Sequence, residues 1–313
     1  MQFISPKKVD RKRRYPWFIS MVFFVFAALA LSTNHSAANV SPVIDSVTAA
    51  TTSLGNEAQL TLAPNSTTSL FAHGSISDTD GCEDVATNGT VSGTFYRSNH
   101  LNGSSCSPDN NDCYQITNAS CSKSGCDGPE DTIFNYECSA QIQYYADSTT
   151  SGPHVASDWT VKITATDAAT AQGIGTDTIE MATTVGLTIP SSIGYGTVNL
   201  DGESAEQDLL ITNTGNSGID NDLSVDADMS CTNGVVPAGN VHYATTASTA
   251  YTSGTALSTT AQEVELNLAP RSDDSTASTK NIYFKLKMPS SGAGGSCSNT
   301  LTVTAKADAE NGW

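Results

Sequence analysis

The sequence is strongly acidic: its 313 residues include 32 Asp and Glu but only 14 Lys and Arg, for a formal net charge of −18. Six of the basic residues lie within residues 7–14, so the rest of the chain is more acidic still. Phosphate backbones repel such a surface, which argues against nucleic acid as a partner. The acidity favours cation binding or solubility in high salt, although scattered surface acids are also simply well solvated.

The N-terminal stretch, residues 1–38, has the order of an export signal. Basic residues precede the uncharged apolar run 17–31, and Ser36 and Ala38 are small residues where a signal peptidase reads. We expect cleavage after Ala38. The alternative is an uncleaved anchor, in which membrane contact is made only through residues 17–31. In both cases the remaining chain is predicted to be extracellular or held at the cell surface.

The segment "SDTDGCEDV", residues 77–85, is acidic. Its carboxylates surround a glycine and a cysteine. Calcium binds six to eight oxygens, and Asp78, Asp80, Glu83 and Asp84 could supply three or four. The segment lacks the spacing and terminal Glu of an EF-hand. The favoured interpretation is a turn pinned by Cys82, since Asp side chains bond their own backbone in turns. Calcium is the cofactor that this segment could bind. Catalytic carboxylates are the least favoured interpretation of it.

Eight cysteines fit an exported chain, six in its first part and two in its second. Even numbers in both parts indicate disulfides closed within each part. Cys231 and Cys297 are therefore expected to pair. Six cysteines allow 15 pairings, and proximity along the chain favours three of them: Cys106 with Cys113, Cys121 with Cys126, and Cys82 with Cys138. A zinc site at "CSKSGC" is the alternative, but no histidine lies near it and no matching ligand pair is present.

The body of the chain alternates apolar and polar residues in short runs. "DWTVKITATD" places Trp159 and Val161 on one face and Lys162 on the other, and "ECSAQIQYYAD" repeats the pattern. Similar runs are separated by turn residues: "QLTLA", "TVSGTFYRS", "GTDTIEMATT", "EQDLLITNTG", "EVELNLA", "TKNIYFKLKMP" and "NTLTVTAKA". No stretch after the leader keeps a helical period over three turns. The fold class is predicted to be all-β, with two antiparallel immunoglobulin-like sandwich domains in tandem.

A domain boundary is expected near residue 184, which gives domains at 39–183 and 184–313. The first exceeds the size of a minimal immunoglobulin-like domain. The excess lies in residues 98–138, a polar stretch with few apolar residues. We interpret that stretch as a long loop stapled by disulfides, on which binding function is expected.

Several motifs together resemble one group of proteins: "GSISDTDGCEDV", "TFYRS", "CSPDNNDCY", "YECSAQIQYYAD", "DWTVKITATD", "IGYGTV", "LLITNTGNSGID" and "MSC". The chain resembles, over about residues 40–313, uncharacterised exported immunoglobulin-like surface proteins of uncultured candidate-phylum bacteria. That resemblance implies an immunoglobulin-like fold and implies no activity. Separately, "YGTV…LLITNTGNSGID" is similar to the opening of immunoglobulin-like modules on bacterial surfaces, where "NTGN" ends a core strand at a tight turn.

Catalytic chemistry has little support in the sequence. A Ser or Cys nucleophile needs an adjacent base, and the histidines after the leader, His73, His100, His154 and His242, lie in no catalytic motif. Phosphate-binding loops and metalloprotease motifs are also missing from the sequence. The alternative to a non-enzymatic protein is a carbohydrate-active or other extracellular hydrolase whose acidic pair is not evident.

Binding is the function class that remains, as an adhesin-like surface or secreted module with a protein or glycan partner. Planar rings stack on sugar faces, so Tyr145 and Tyr114, with Tyr96 and Tyr136 nearby, are the candidate ligand contacts. Tyr144 and Trp159 are expected to fill the core instead, because they fall on inward positions of their strands.

Overall fold

The computed structural model describes residues 38–99, 111–128 and 130–313. Residues 1–37 of the predicted export signal, and Cys106, lie outside these residues. Residues Val40–Trp313 belong to one compact unit, which we divide for description into an N-terminal half (40–183) and a C-terminal half (184–313).

The described residues of the N-terminal half form ten strands and one short helix: β1 (Val43–Ile44), β2 (Thr48–Ala50), β3 (Gln59–Leu60), β4 (Thr67–Ser77), α1 (Glu83–Ala86), β5 (Thr90–Arg97), β6 (Cys113–Ile116), β7 (Cys121–Ser124), β8 (Ile133–Gln143), β9 (Trp159–Thr166) and β10 (Gln172–Met181). One sheet has the order β1-β4-β8-β7, with β2 also paired to β4, and the other has the order β3-β10-β9-β5-β6. All pairs are antiparallel except β3 with β10. The two sheets enclose one hydrophobic core.

The C-terminal half also contains ten strands: β11 (Leu187–Thr188), β12 (Gln207–Asn213), β13 (Ile219–Val225), β14 (Met229–Val236), β15 (Val241–Ala244), β16 (Thr255–Ala256), β17 (Gln262–Leu268), β18 (Thr279–Leu286), β19 (Ala293–Ser298) and β20 (Leu301–Ala307). They form sheets of order β11-β12-β18-β15-β16 and β17-β13-β20, and a two-stranded sheet β14-β19. Short 3₁₀ turns occur in both halves: Asn118–Ser120, Gly152–His154, Ala238–Asn240, Tyr251–Ser253 and Ala309–Asn311.

Each half has its own cluster of buried apolar side chains. In the N-terminal half, Trp159 on β9 is fully buried and its ring stacks on Phe95 of β5, with 4.6 Å between ring centroids. Alternate residues of β9 are buried, as the period-two pattern of its sequence predicts. In the C-terminal half, Ile211, Leu223 and Phe284 are fully buried between the two larger sheets.

Buried polar residues join the two halves. Asn216 is 1% exposed, and its Nδ2 donates to the carbonyls of Ala146 and Ala182 at 3.0 Å each. Its Oδ1 accepts from the backbone N–H of Thr184 at 2.7 Å. The neighbouring Gly215 has no room for a side chain, since a Cβ there would lie 2.1 Å from the carbonyl oxygen of Thr184. The sequence indicated only a turn at "NTGN". In the structure, its second Asn, Asn216, forms hydrogen bonds that join the two halves.

The predicted all-β fold with antiparallel sheets is confirmed. The count of two tandem domains stays a prediction, because the described chain from Val40 onward is one compact unit. The interpretation of residues 98–138 as a loop needs correction. Within that range, β6 pairs with β5 and β7 pairs with β8, so its described part extends both sheets.

The disulfide between Cys231 and Cys297 is present, directly across the β14–β19 pair. Two of the pairings favoured by proximity are wrong: Cys82 bonds to Cys126, and Cys121 bonds to Cys138. The physical reason is that Cys121 faces Cys138 across β7 and β8. Cys113 is also disulfide-bonded, while its predicted partner Cys106 lies outside the described residues.

Candidate functional site

An acidic cluster lies where β4, α1 and β9 end or begin. Asp78 directly follows β4, Asp84 lies in α1, and Asp167 directly follows β9. One carboxylate oxygen of each residue lies within 4.8 Å of the others. The backbone holds them there, because the N–H of Ala168 donates to the carbonyl of Asp84 at 3.2 Å. The cluster therefore joins three segments that are distant in sequence.

Asp78 is the most buried member of this cluster, with 1% of its surface exposed. Its Oδ1 accepts from the backbone N–H of Asp80 at 2.9 Å, as expected of an Asx-turn. Its Oδ2 is buried and has no hydrogen-bond partner among the described residues. Burial raises the pKa of Asp78; the hydrogen bond from Asp80 lowers it, and the charges of Asp80, Asp84 and Asp167 raise it. The charged carboxylate is thus held in an unfavourable environment.

The four predicted calcium ligands divide into two pairs in the structure. Asp78 and Asp84 belong to the cluster. Asp80 is exposed and its Oδ2 accepts from the backbone N–H of Val40 at 2.7 Å, and Glu83 is also exposed. The acidic segment did not point to Asp167. The signal that could have identified it is its position directly after the alternating strand "TVKITAT", where a side chain lies at the end of a sheet.

A second polar cluster is buried between the ends of β5, β6 and β9. The Asp147 carboxylate accepts from Arg97 Nε at 2.9 Å and from Asn111 Nδ2 at 2.9 Å, and it lies 3.4 Å from His154 Nε2. Burial raises the pKa of Asp147, although His154 and Arg97 oppose that rise. Burial lowers the pKa of His154. These residues bond the end of β5 to the segment that precedes β9. The sequence did not connect them, because Arg97 and Asp147 are 50 residues apart.

The two tyrosines predicted as ligand contacts are wrong choices. Tyr145 is 1% exposed and lies at the joint, edge-on to Tyr144 and beneath Arg271, whose guanidinium carbon is 4.9 Å from the ring centroid. Tyr114 is 4% exposed and packs beside Phe95. Neither ring can stack on a ligand from solvent. The prediction that Tyr144 and Trp159 are buried is confirmed.

A large groove opens into the C-terminal half and encloses about 1080 Å³. On one side runs the segment 189–200, which belongs to no strand. The opposite wall is β19, all six residues of which line the groove. The floor consists of core side chains from β12, β14, β15 and β18: Leu209, Met229, Val241, Phe284 and Leu286.

The groove is uncharged along its whole lining, although the chain carries a net charge of −18. Ile193, Tyr195 and Val198 of the segment 189–200 pack against the core and are only partly buried. Among the described strands, β19 pairs with β14 alone, so its second edge is unpaired. An apolar floor beside an unpaired strand edge is suited to an apolar segment in extended conformation.

Comparisons with known proteins assign no function to the chain. No protein-family model and no curated protein matches the chain. Among solved structures, the chain is similar to a chaperone–tip adhesin complex of CFA/I fimbriae biogenesis, with a TM-score of 0.32 and 10% identity over 75% of this chain and 80% of that chain. It is also similar to the CsuC–CsuE chaperone-tip adhesion subunit complex of Acinetobacter baumannii Csu pili, with a TM-score of 0.36 and 11% identity over 79% and 96%.

A third similarity is to E. coli alpha-2-macroglobulin, with a TM-score of 0.26 and 14% identity over 84% of this chain and 16% of that chain. TM-scores this low carry no inference about function or partners.

The disulfides Cys82–Cys126, Cys121–Cys138 and Cys231–Cys297 fit an extracellular protein, because disulfides persist in oxidising compartments. None of the helices in the described parts of the chain has the length and apolar character needed to cross a bilayer.

Proposed function

We propose that this chain is an exported, non-enzymatic binding protein of adhesin type, secreted or held at the cell surface. We further propose that the groove of the C-terminal half is its binding surface. The observation that carries this proposal is the groove itself, which encloses about 1080 Å³ and reaches buried core side chains. Cavities of about 300–1,000 Å³ are typical of ligand sites.

The occupant that fits is an uncharged, apolar peptide segment in extended conformation, supplied by a partner protein. Burying a charge among apolar side chains is costly, so the uncharged lining selects against charged ligands. The unpaired edge of β19 offers backbone donors and acceptors to an added strand. Side chains on alternate positions of such a strand would face the floor formed by Leu209, Phe284 and Leu286.

The alternative from the sequence, an extracellular hydrolase, would need an acid or base free to act on a substrate. Asp147, which is buried, and His154, which is half-buried, are the nearest approach to such a pair, but Arg97 and Asn111 already bond to the Asp147 carboxylate. These contacts favour a structural role for the pair, and the groove supports binding over catalysis.

The test uses labelled ten-residue peptides titrated with the oxidised protein and followed by fluorescence anisotropy. One peptide alternates Val with Thr, and the second has the same composition in scrambled order. Binding of the alternating peptide in preference to the scrambled one is expected, because only the first presents one apolar face as a strand.

Two variants locate the binding. Ile193→Glu places a charge on the groove wall, and we expect a loss of affinity of at least about tenfold. Ile174→Glu on the exposed face of β10, in the other half, is the matched control and should change affinity less than about twofold. The proposal is wrong if neither peptide binds, or if both variants bind equally well.

A further inference from the structure

We propose that Asp78, Asp84 and Asp167 form a calcium site at one end of the N-terminal half. This proposal does not rest on the groove, which lies in the other half. One carboxylate oxygen of each residue lies within 4.8 Å of the others, so all three can contact one ion.

The unpartnered oxygen of Asp78 is the observation that separates this cluster from an ordinary group of surface acids. Asp78 is 99% buried, and its Oδ2 has no hydrogen-bond partner in the part of the chain that the structure describes. A buried carboxylate oxygen without a partner costs free energy. A bound cation would supply that partner at the point where Asp84 and Asp167 also converge.

The local charge also requires compensation. Neither Asp78 nor Asp84 forms an ion pair with a Lys or Arg of the described residues. Three carboxylates whose oxygens lie this close together repel one another. Two of them, Asp78 and Asp167, are buried. A divalent cation would replace this repulsion by attraction to all three groups.

The donor chemistry and size favour calcium. Carboxylate oxygens are hard ligands, and calcium takes them at about 2.3–2.6 Å, so oxygens on one ion can lie up to about 5 Å apart. Magnesium binds at about 2.0–2.1 Å and demands a narrower octahedral arrangement. The three oxygens of the cluster fit within the calcium sphere, with backbone carbonyls and water available for the remaining positions.

A calcium ion at this place would act as a cross-link. It would tie the end of β4, the helix α1 and the turn after β9 together, beside the disulfide between Cys82 and Cys126. The first residues of the body would be tied indirectly, because Val40 donates to Asp80 in the same loop. The cross-link would therefore stabilise the N-terminal half at the end where Cys82 and Cys126 are bonded.

The test is isothermal titration calorimetry of the oxidised full chain with calcium chloride at fixed ionic strength, after treatment with EDTA. Thermal unfolding in calcium, in magnesium and in EDTA accompanies it. We expect binding of one calcium ion and a higher melting temperature in calcium than in EDTA or magnesium, because a ligand that binds only the folded state stabilises it.

Variants identify the ligands. Asp78→Asn and Asp167→Asn should each weaken calcium binding by at least about tenfold, while Glu83→Gln, an exposed acid in the same loop, should change it less than about twofold. In EDTA, Asp78→Asn should melt at or above the wild-type temperature, since one buried charge is removed; this shows that the variant folds.

Three results would overturn the proposal. The first is no calorimetric binding and no melting shift in calcium. The second is an equal loss of binding in Glu83→Gln and Asp78→Asn, which would indicate general attraction to an acidic surface. The third is stabilisation by magnesium that matches that by calcium.

Discussion

The two halves of the molecule bury their apolar residues in different ways. In the N-terminal half, large rings such as Trp159 and Phe95 fill the space between two sheets. The disulfides Cys82–Cys126 and Cys121–Cys138 fasten a loop and two neighbouring strands around it. In the C-terminal half, Phe284 and Leu286 are also buried, yet they form the floor of an open groove. We therefore base the proposed binding surface on the open space beside the core of the C-terminal half, and not on a polar motif.

The largest expected effect tests the closed core. Trp159→Ala should destabilise the protein by about 3–5 kcal/mol, because a fully buried ring leaves a cavity that the packed neighbours cannot fill. Leu286→Ala on the groove floor should cost nearer to about 2 kcal/mol, since open space already lies beside it. Urea denaturation measures both. Equal losses would contradict the difference between the halves.

The disulfide at the groove wall is expected to matter next. Replacing Cys231 and Cys297 with Ser removes a cross-link between residues 66 apart, with an expected loss of about 2–4 kcal/mol. Because this disulfide fastens β14 to β19, the double variant should also weaken binding of the alternating peptide. Denaturation and peptide titration provide the two readouts, and unchanged peptide binding would mean that β19 is not part of the binding surface.

The joint between the halves is the third point of comparison. Asn216→Ala leaves two buried carbonyls and one buried N–H without their partners, at an expected cost of about 1–3 kcal/mol. Asn199→Ala, at an exposed position in the segment 189–200, should change stability by less than about 0.5 kcal/mol. If the joint couples the halves, the Asn216 variant should also broaden or split the calorimetric transition. Identical melts for the two variants would show that Asn216 does not hold them together.

The smallest effect concerns pH and the buried cluster around Asp147. The lowered pKa of His154 contributes stability that is present above the ordinary histidine pKa of about 6.5 and is lost as pH falls below it. The raised pKa of Asp147 changes stability with pH in the opposite direction. The charged groups of Arg97 and Asp112 also face the imidazole. The melting temperature of the wild type should therefore fall more between about pH 7.5 and 5.5 than that of His154→Gln. Parallel melting curves would contradict this assignment.

Regular alternation in the sequence was enough to predict β9 and the all-β class, because each strand has one buried face. It did not reveal β4, an eleven-residue strand that pairs along its full length with β8, because Ser, Thr, His and Gly interrupt its apolar pattern. The disulfides of the first half also escaped prediction, since strand pairing and not distance along the chain brings Cys121 to Cys138.

The candidate sites were predicted less well than the fold. Asp78 and Asp84 were identified from a local run of acids, but Asp167 lies more than 80 residues away in sequence and reaches them only through the packing of β4 and β9. The groove has no sequence signature, because its floor consists of the same alternating residues that form any sandwich core.

Hydrogen–deuterium exchange of the oxidised protein, with and without the alternating peptide, shows whether the groove is the binding surface. We expect the peptide to slow exchange in the segment 189–200 and in β19, where a docked strand would take up backbone hydrogen bonds, and to leave β5, β8 and β9 unchanged. Unchanged exchange around the groove, at peptide concentrations that saturate binding, would contradict this expectation.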